Sequence, residues 1–172
     1  MNKDELETKL MAFAAEQNLN WKLLRANLMC ENGDLTGIED GKIRSRFEPA
    51  VYKALAYKIP NNRNSQIPTK YYPDIITDDQ IRNCSTSWGI AQIMGYWFYL
   101  IGYATIDDML KAWQDEGVQL DDWFKFILAY NNGNYIKAVR SENVKSMAYQ
   151  YNGPNFAVNH YDTKLTKYMS LV

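Results

Sequence analysis

The chain has 172 residues, 47% of them hydrophobic and 14% aromatic, a composition that predicts one globular domain with a sizeable core and excludes a disordered chain. Its net charge of −1 provides no basic surface, so we expect no binding to nucleic acid. No uninterrupted apolar stretch approaches the ~20 residues of a spanning helix, and we therefore expect no membrane insertion.

Apolar residues recur at helical spacing along most of the chain, which predicts a mainly α (α+β) fold. Capping pairs such as Asn2 with Glu5 and Thr77 with Gln80 indicate helix starts, and Pro154 after a glycine indicates another. The predicted helices span residues 3–16, 19–31, 49–58, 77–84, 86–101, 105–115, 120–131, 134–140, 142–150 and 154–170.

One β element is predicted, a short hairpin between residues 32 and 47. This stretch contains three glycines and an Asp40–Gly41 pair, which suits a two-residue hairpin turn. Residues 59–73 hold three of the five prolines and many amides. They predict a long polar loop that forms a rim over a cleft.

Glu31 is the most informative residue of the chain. It closes the apolar helical segment 19–30, and the stop signal Asn32–Gly33 follows it directly. A carboxylate in the last turn faces the negative end of the helix dipole, and apolar neighbours desolvate it, so both effects raise its pKa. A carboxyl group that keeps its proton near neutral pH suits the general acid of sugar-bond cleavage. Glu31 is therefore the candidate general acid.

Two cysteines, Cys30 and Cys84, and one histidine, His160, are too few for a structural zinc site or a disulfide framework. We therefore expect no metal and no other cofactor. Cys30 with His160 stays open as a nucleophile and its base, although a lone cysteine on an apolar helix is more often an inert packed residue.

Later polar residues also stand in apolar surroundings. Gln92 lies between Ala91 and Ile93, and a buried amide without hydrogen bonds costs about 1–3 kcal/mol. Its partner is either the protein backbone or a ligand. Trp88 provides either a face for a sugar ring or an anchor in the core. The segments with such residues are 87–95, 129–133 and 151–154.

The order of these features resembles goose-type lysozymes and soluble lytic transglycosylases: a glutamate that ends a helix, a Gly-x-x-Gln segment and a Tyr-Asn-Gly segment. More narrowly, the chain resembles the N-acetylmuramidase domain of phage endolysins from about residue 19 to its C-terminus. The segments that carry this resemblance are 31–33, 40–41, 46–49, 87–95, 151–154 and 161–165. It implies a lysozyme-like fold and cleavage of the β-1,4 bond between N-acetylmuramic acid and N-acetylglucosamine in peptidoglycan.

The resemblance also implies roles for residues of the later segments. Gln92, Tyr151 and Asn152 are expected to bind N-acetyl groups and orient the sugar near the general acid. Ser87 and Trp88 are the further expected substrate contacts. The Tyr-Asn pair at 151–152 is favoured over the pair at 130–131 because Gly-Pro follows it directly and begins a new helix.

Glu48 is the candidate second carboxylate. It precedes Pro49 at a helix N-terminus, where a carboxylate is stabilised in its ionised form. An acidic residue at a helix start is also common without any catalytic role. Asp34 and Asp40 are weaker candidates, because aspartates in turns usually only form the turn. The chain departs from the family where Pro49–Ala50 replace a bulky basic residue or histidine.

Two alternatives to a hydrolase remain open. If Glu31 acts alone, the substrate's own 6-hydroxyl attacks and leaves a 1,6-anhydro product, as in lytic transglycosylases. From another class, the chain is a glycan-binding module that kept the fold and lost catalysis.

The chain is expected to be a single catalytic domain, residues 1–172, with a helical extension at 1–18 and no separate wall-binding module. Charged residues at 1–7 predict no secretory signal. We expect a monomer that is made in the host cytoplasm and reaches the peptidoglycan after holin-type release.

Overall fold

A computed structural model of the protein describes residues 1–56 and 77–171. The helices in these ranges are α1 (Lys3–Gln17), α2 (Trp21–Asn32), α3 (Pro49–Ala56), α4 (Asp78–Cys84), α5 (Ile106–Ala112), α6 (Glu116–Ala129), α7 (Asn134–Arg140), α8 (Val144–Asn152) and α9 (Tyr161–Met169). The strands are β1 (Ile38–Glu39), β2 (Lys42–Ile43), β3 (Ser45–Phe47), β4 (Thr86–Trp88) and β5 (Ile93–Met94). The predicted mainly α-helical class is confirmed. The predicted loop at 59–73 lies outside the described residues.

Capping residues explain where several helices begin. Asn2 accepts a hydrogen bond from the Glu5 backbone N–H at 2.9 Å, and the Glu5 carboxylate accepts one from the Asn2 N–H at 2.9 Å. Thr77 and Gln80 make the same reciprocal pair at the start of α4, and Thr105 caps α5. These bonds satisfy N–H groups that a helix start leaves free. The predicted starts at Asn2 and Thr77 are confirmed.

The predicted hairpin is also confirmed. β1 and β2 pair antiparallel, with Ile38 opposite Ile43. Asp40 and Gly41 connect them with φ angles of 50° and 72°. Two consecutive residues with positive φ are what a tight hairpin turn requires.

A second sheet replaces most of the helix predicted over residues 86–101. Its strand order is β3–β4–β5, with both pairs antiparallel, and a 3₁₀ turn at Gly95–Trp97 follows. The helix prediction is wrong because Gly89 and Gln92 have φ angles of 70° and 47° and turn the chain between β4 and β5. An α-helix does not continue through such residues.

The prediction that Pro154 begins a helix is wrong as well. The segment from 154 to 160 consists of turns, and α9 begins at Tyr161. Gly153 has a φ of 77° and His160 a φ of 51°, so positive-φ residues bound the segment at both ends. Backbone hydrogen bonds between residues close in sequence stabilise it, such as Phe156 N–H to Gly153 O at 3.1 Å.

Helix α2 lies in the interior and packs against α1 and α9. Its Leu23, Leu24 and Leu28 are fully buried. Helix α1 contributes to the same core, and its Phe13 stacks on Phe124 of α6 with ring centroids 4.1 Å apart. The buried residues 23–28 anchor α2 in the core, and its last turn, where the candidate acid lies, is partly buried. None of the described helices is both long and apolar enough to cross a membrane.

Candidate active site

Glu31 lies in the last turn of α2, which ends where Gly33 takes a left-handed conformation with φ 77°. Its side chain is partly buried. Burial raises the pKa of Glu31 from 4.5 to about 7, while a hydrogen bond from Tyr161 and the charges of Arg46 and Lys164 oppose the increase. The structure thus agrees with the sequence prediction of a raised pKa. Near neutral pH this carboxyl group is partly protonated and able to donate a proton.

A buried series of hydrogen bonds ends on this carboxyl group. The Tyr161 hydroxyl donates to Glu31 Oε1. Asn27 Nδ2 donates to the Tyr161 hydroxyl oxygen at 2.5 Å, and the Tyr135 hydroxyl donates to Asn27 Oδ1 at 2.7 Å. We call Tyr135, Asn27 and Tyr161 the Glu31 relay. It joins α7, α2 and α9 at the candidate acid.

Sequence reasoning did not identify the relay. Tyr161 belongs to the segment 161–165 that carries the family resemblance, but it received no role of its own. The usable signal is Asn27, a polar residue inside the apolar run of α2. It precedes Glu31 by four positions, which places both side chains on one face of the helix.

The turn between β4 and β5 is fastened to the end of α2. Asn32 Nδ2 donates to the backbone oxygens of Gly89 and Ile90 at 3.1 and 2.9 Å. Gln92 Nε2 donates to Gly89 O at 2.9 Å. The Ile90 N–H donates to Gln119 Oε1 at 2.9 Å. The Gln92 amide group therefore has a backbone partner, and its Oε1 accepts no hydrogen bond from any described residue.

Tyr151 connects this turn with the relay. Its hydroxyl donates to Ala91 O at 3.2 Å, and its ring lies near-parallel to that of Tyr161 with centroids 6.1 Å apart. Burial and the nearby Glu31 carboxyl raise the pKa of Tyr151 well above its usual value. Asn152 follows as the last residue of α8 and is exposed. The structure thus brings Tyr151 close to Glu31 and leaves the Asn152 amide at the surface.

A small pocket of about 130 Å³ opens beside Tyr151. It is lined by Gln92, Ile93, Met94, Tyr96, Trp97, Phe126, Tyr130 and Tyr151. Its volume suits a group of a few non-hydrogen atoms. A larger cavity of about 750 Å³ lies between the N-terminal ends of α1 and α6, and none of the candidate site residues lines it.

Ser87 and Trp88, the other two predicted substrate contacts of segment 87–95, have protein partners. Ser87 is buried on β4, and its hydroxyl donates to Met94 Sδ at 3.1 Å. Trp88 is partly buried, and its Nε1 donates to Asn83 O at 2.8 Å. For Trp88 this arrangement matches the alternative of an anchor in the protein interior.

Glu48 directly precedes α3, as predicted. Its carboxylate accepts a hydrogen bond from Arg46 Nε at 2.7 Å in a partly exposed ion pair. Arg46 is also one of the two cations that lower the pKa of Glu31. The Arg46 guanidinium therefore interacts with both candidate carboxyl groups: it is hydrogen-bonded to Glu48, and its charge acts on Glu31.

The turn aspartates are explained by their local structure. Asp34 accepts two bonds from Arg44 at 2.7 and 2.9 Å and also binds Thr36. Burial opposes these contacts, but together they lower the pKa of Asp34. Asp40 forms the hairpin turn.

The thiol alternative finds no support in the geometry. Burial raises the pKa of Cys30 to about 12, so the thiol stays protonated and is a poor nucleophile at neutral pH. His160 is exposed at the start of α9. Within residues 1–56 and 77–171, no group of three or more His, Cys, Asp or Glu side chains is arranged to hold a metal ion.

Comparisons with known proteins identify a matching family and a similar fold. The sequence model of the family described as Muramidase, N-acetylmuramidase, matches residues 74–171, which is more than half of the chain. The structure is similar to the crystal structure of the Burkholderia AP3 phage endolysin, with a TM-score of 0.70 and 24% sequence identity over 96% of this chain and 70% of that chain. This similarity shows a shared fold. A comparison with curated proteins finds no match. The region matched by the family includes Gln92, Tyr151 and Tyr161, whereas Glu31 lies before it.

Proposed function

The chain belongs to the N-acetylmuramidase family, and we propose that it hydrolyses peptidoglycan at the β-1,4 bond between N-acetylmuramic acid and N-acetylglucosamine, with Glu31 as general acid. The family resemblance predicted from the sequence is thereby confirmed. One observation carries the proposal for Glu31, namely a carboxyl group at the end of a buried helix with a pKa of about 7. That value matches the proton donor of a glycosidase working near neutral pH.

The reaction needs a proton on the leaving oxygen as the glycosidic bond breaks. Glu31 supplies this proton and becomes a carboxylate. Arg46, Lys164 and the Tyr161 hydroxyl favour the ionised form, so they assist the release of the proton. The same ionised group then offsets the positive charge that develops at the anomeric carbon.

Glu48 is the proposed second carboxylate. Its place directly before α3, where the helix N-terminus favours a negative charge, supports this role. In this proposal Glu48 activates a water molecule or stabilises the sugar cation from the other side.

The proposed sugar contacts lie around the small pocket beside Tyr151. Gln92 Oε1 is available to accept an N–H bond from an acetamido group, and the pocket suits the acetyl methyl group. Asn152 provides an exposed amide at the end of α8. Ser87 and Trp88 already have protein partners, so we propose that they support the structure around this pocket.

We also propose that the chain works as one catalytic domain, a monomer that acts on the bacterial cell wall. The burial of α1 and α9 against α2 in a single core supports one folding unit.

The test compares wild type, Glu31→Gln and the control Glu16→Gln on purified sacculi, by turbidity and by release of reducing ends. Glu31→Gln keeps the shape but has no proton to donate, so we expect at least a 100-fold loss of rate. Glu16 is exposed on α1, and its variant should keep full activity. Equal activity of all three proteins would end the proposal. Binding of sacculi by wild type with neither a loss of turbidity nor new reducing ends would instead indicate a glycan-binding module.

A lytic transglycosylase is the second candidate, and the Arg46–Glu48 ion pair favours it. The Arg46 guanidinium already occupies one oxygen of the Glu48 carboxylate, and transglycosylation needs only the Glu31 acid. Mass spectra of the released muropeptides separate the two reactions. Hydrolysis leaves reducing ends, whereas transglycosylation leaves products lighter by one water.

A further inference from the structure

The Glu31 relay is buried along its whole length. Asn27 is 1% exposed, Tyr135 0% and Tyr161 4%. Buried polar groups must find hydrogen-bond partners, and here each of them finds one within the relay. The relay therefore has a defined path that ends at Glu31.

With the Asn27 amide oriented as observed, the hydrogen bonds of the relay run in one direction. A hydroxyl group has a single hydrogen, and an amide accepts at its oxygen and donates at its nitrogen. Asn27 receives the Tyr135 hydrogen at Oδ1 and gives its own hydrogen to the Tyr161 oxygen. The single hydrogen of Tyr161 is therefore directed at Glu31 Oε1.

We propose that Tyr161 is a positioning residue, oriented by Asn27 and Tyr135, that holds Glu31 Oε1 as an acceptor and so leaves the transferable proton on Oε2. Oε2 accepts no hydrogen bond from any described residue, so it is the oxygen that is free to meet the substrate. When the proton leaves, the Tyr161 bond strengthens because its acceptor becomes charged. The catalytic part of this inference rests on the proposed function of Glu31.

A purely structural role of the relay predicts something different. Loss of the Tyr161 hydroxyl would then reduce stability without changing the titration of Glu31. A positioning role predicts a change in that titration, because a hydrogen bond to the charged form lowers the pKa of an acid.

Titration of Glu31 can be followed without interference from its neighbours. Burial raises the pKa of Cys30 and of the three tyrosines around Glu31, so they stay protonated at neutral pH. The titratable and charged groups that face Glu31 are Cys30 on α2, Arg46 on β3, Tyr135 on α7, Tyr151 on α8, and Tyr161 and Lys164 on α9.

The first test is Tyr161→Phe. The pKa of Glu31 is measured by carbon NMR of the labelled carboxyl group in the free protein, with Glu31→Gln to assign the signal. We expect an increase of roughly one pH unit, since hydrogen bonds to charged groups are worth this much. The alkaline limb of kcat should move by the same amount, and kcat should fall roughly tenfold with KM unchanged, because the carboxyl group is no longer held. The control Tyr149→Phe, an exposed tyrosine on α8, should change neither quantity.

The second test keeps the shape of the side chain. Tyr161→3-fluorotyrosine makes the phenol more acidic and its bond to the carboxylate stronger, so the Glu31 pKa should fall. An unchanged pKa in folded Tyr161→Phe would overturn the proposal, and should that variant not fold, an unchanged pKa with 3-fluorotyrosine would do so. The NMR measurement needs no substrate, so it tests the positioning role separately from the proposed function. If the Glu31 pKa rises in Tyr161→Phe and falls with 3-fluorotyrosine while the wild type has no muramidase activity, the positioning role is upheld and the proposed function is rejected.

Discussion

Two carboxyl groups with tyrosine donors have different surroundings in this protein, Glu31 at the end of α2 and Asp122 on α6. Asp122 is 1% exposed and is bound at both oxygens. Lys125 Nζ donates to Oδ1 at 2.7 Å, while Tyr103 and Trp113 donate to Oδ2 at 2.6 and 2.8 Å. We call these four residues the Asp122 anchor. Its carboxylate has a counter-ion and no oxygen left for a ligand.

Glu31 has fewer partners. Tyr161 binds Oε1, and the cations Arg46 and Lys164 act on the carboxyl group without a hydrogen bond to it. Incomplete compensation of a partly buried charge keeps the proton on the acid near neutral pH. The two carboxyl groups therefore differ in the number of donors that bind them and not only in their burial.

The largest expected effect is on the stability of the anchor. Asp122→Ala leaves the buried Trp113 N–H and the partly buried Tyr103 hydroxyl without an acceptor, so we expect a loss of about 3–5 kcal/mol in the free energy of unfolding. Urea unfolding measures it. The neighbouring Asp121 is the matched control, because it forms an exposed ion pair with Lys9 at 2.7 Å, and Asp121→Ala should cost at most about 1 kcal/mol. Equal losses at the two positions would remove the distinction between anchor and surface pair.

The pH dependence of stability tests the Glu31 side of the comparison. The pKa of Glu31 is raised to about 7 in the folded protein. Below pH 4.5, the ordinary value of the pKa, both states hold the proton and there is no penalty. Between that pH and about 7 the unfolded chain releases its proton first, so the folded state loses stability by about 3 kcal/mol, and the loss is complete above the folded pKa.

Glu31→Gln has no such proton, so its stability should rise relative to wild type by this amount across that pH range. Urea unfolding of both proteins at pH 4, 6 and 8 measures the difference. A difference that stays constant with pH would show that the Glu31 pKa is the same in both states.

The turn at Gly89 lies between the Asp122 anchor and the end of α2, where Glu31 lies. A Cβ atom there would come within 2.6 Å of Gln119 Oε1 and 3.0 Å of Trp113 Cε3, and φ is +70°. Gly89→Ala should therefore cost about 2 kcal/mol and also lower activity, because the same turn is bonded to the end of α2. Gly41 has a similar φ of +72° with nothing within 4 Å, so Gly41→Ala isolates the backbone strain, about 1 kcal/mol. Equal costs in the two variants would show that the contacts of Gly89 add nothing.

Local signals explain what the sequence could predict. Each of the correct local predictions depends on residues within a few positions of each other. They are the caps such as Asn2, the Asp40–Gly41 turn and the glutamate that ends α2. The Glu31 position and its raised pKa needed no more than this. The catalytic role of Glu31 and the sugar contacts remain proposals.

Long-range contacts account for what the sequence could not predict. The strand β4 could not be predicted from its three residues, because their partner β3 lies about 40 residues earlier in the chain. The relay depends on contacts across 134 residues from Asn27 to Tyr161 and 108 residues from Tyr135 to Asn27. No local pattern reports which buried hydroxyl meets which amide.

The smallest expected effect concerns the distant cations. Lys164 is exposed on α9, and its charge lowers the pKa of Glu31 without touching it. Such exposed interactions are worth less than about 1 kcal/mol, so Lys164→Met should raise the Glu31 pKa by roughly 0.3 pH units in the same NMR titration. High salt should produce a similar increase in wild type and a smaller one in the variant, because screening removes the same interaction. Lys167→Met, one position beyond Thr166 on the same helix, is the control and should leave the pKa unchanged. A shift as large as that of Tyr161→Phe would mean that charge, and not the hydrogen bond of the relay, sets the acidity of Glu31.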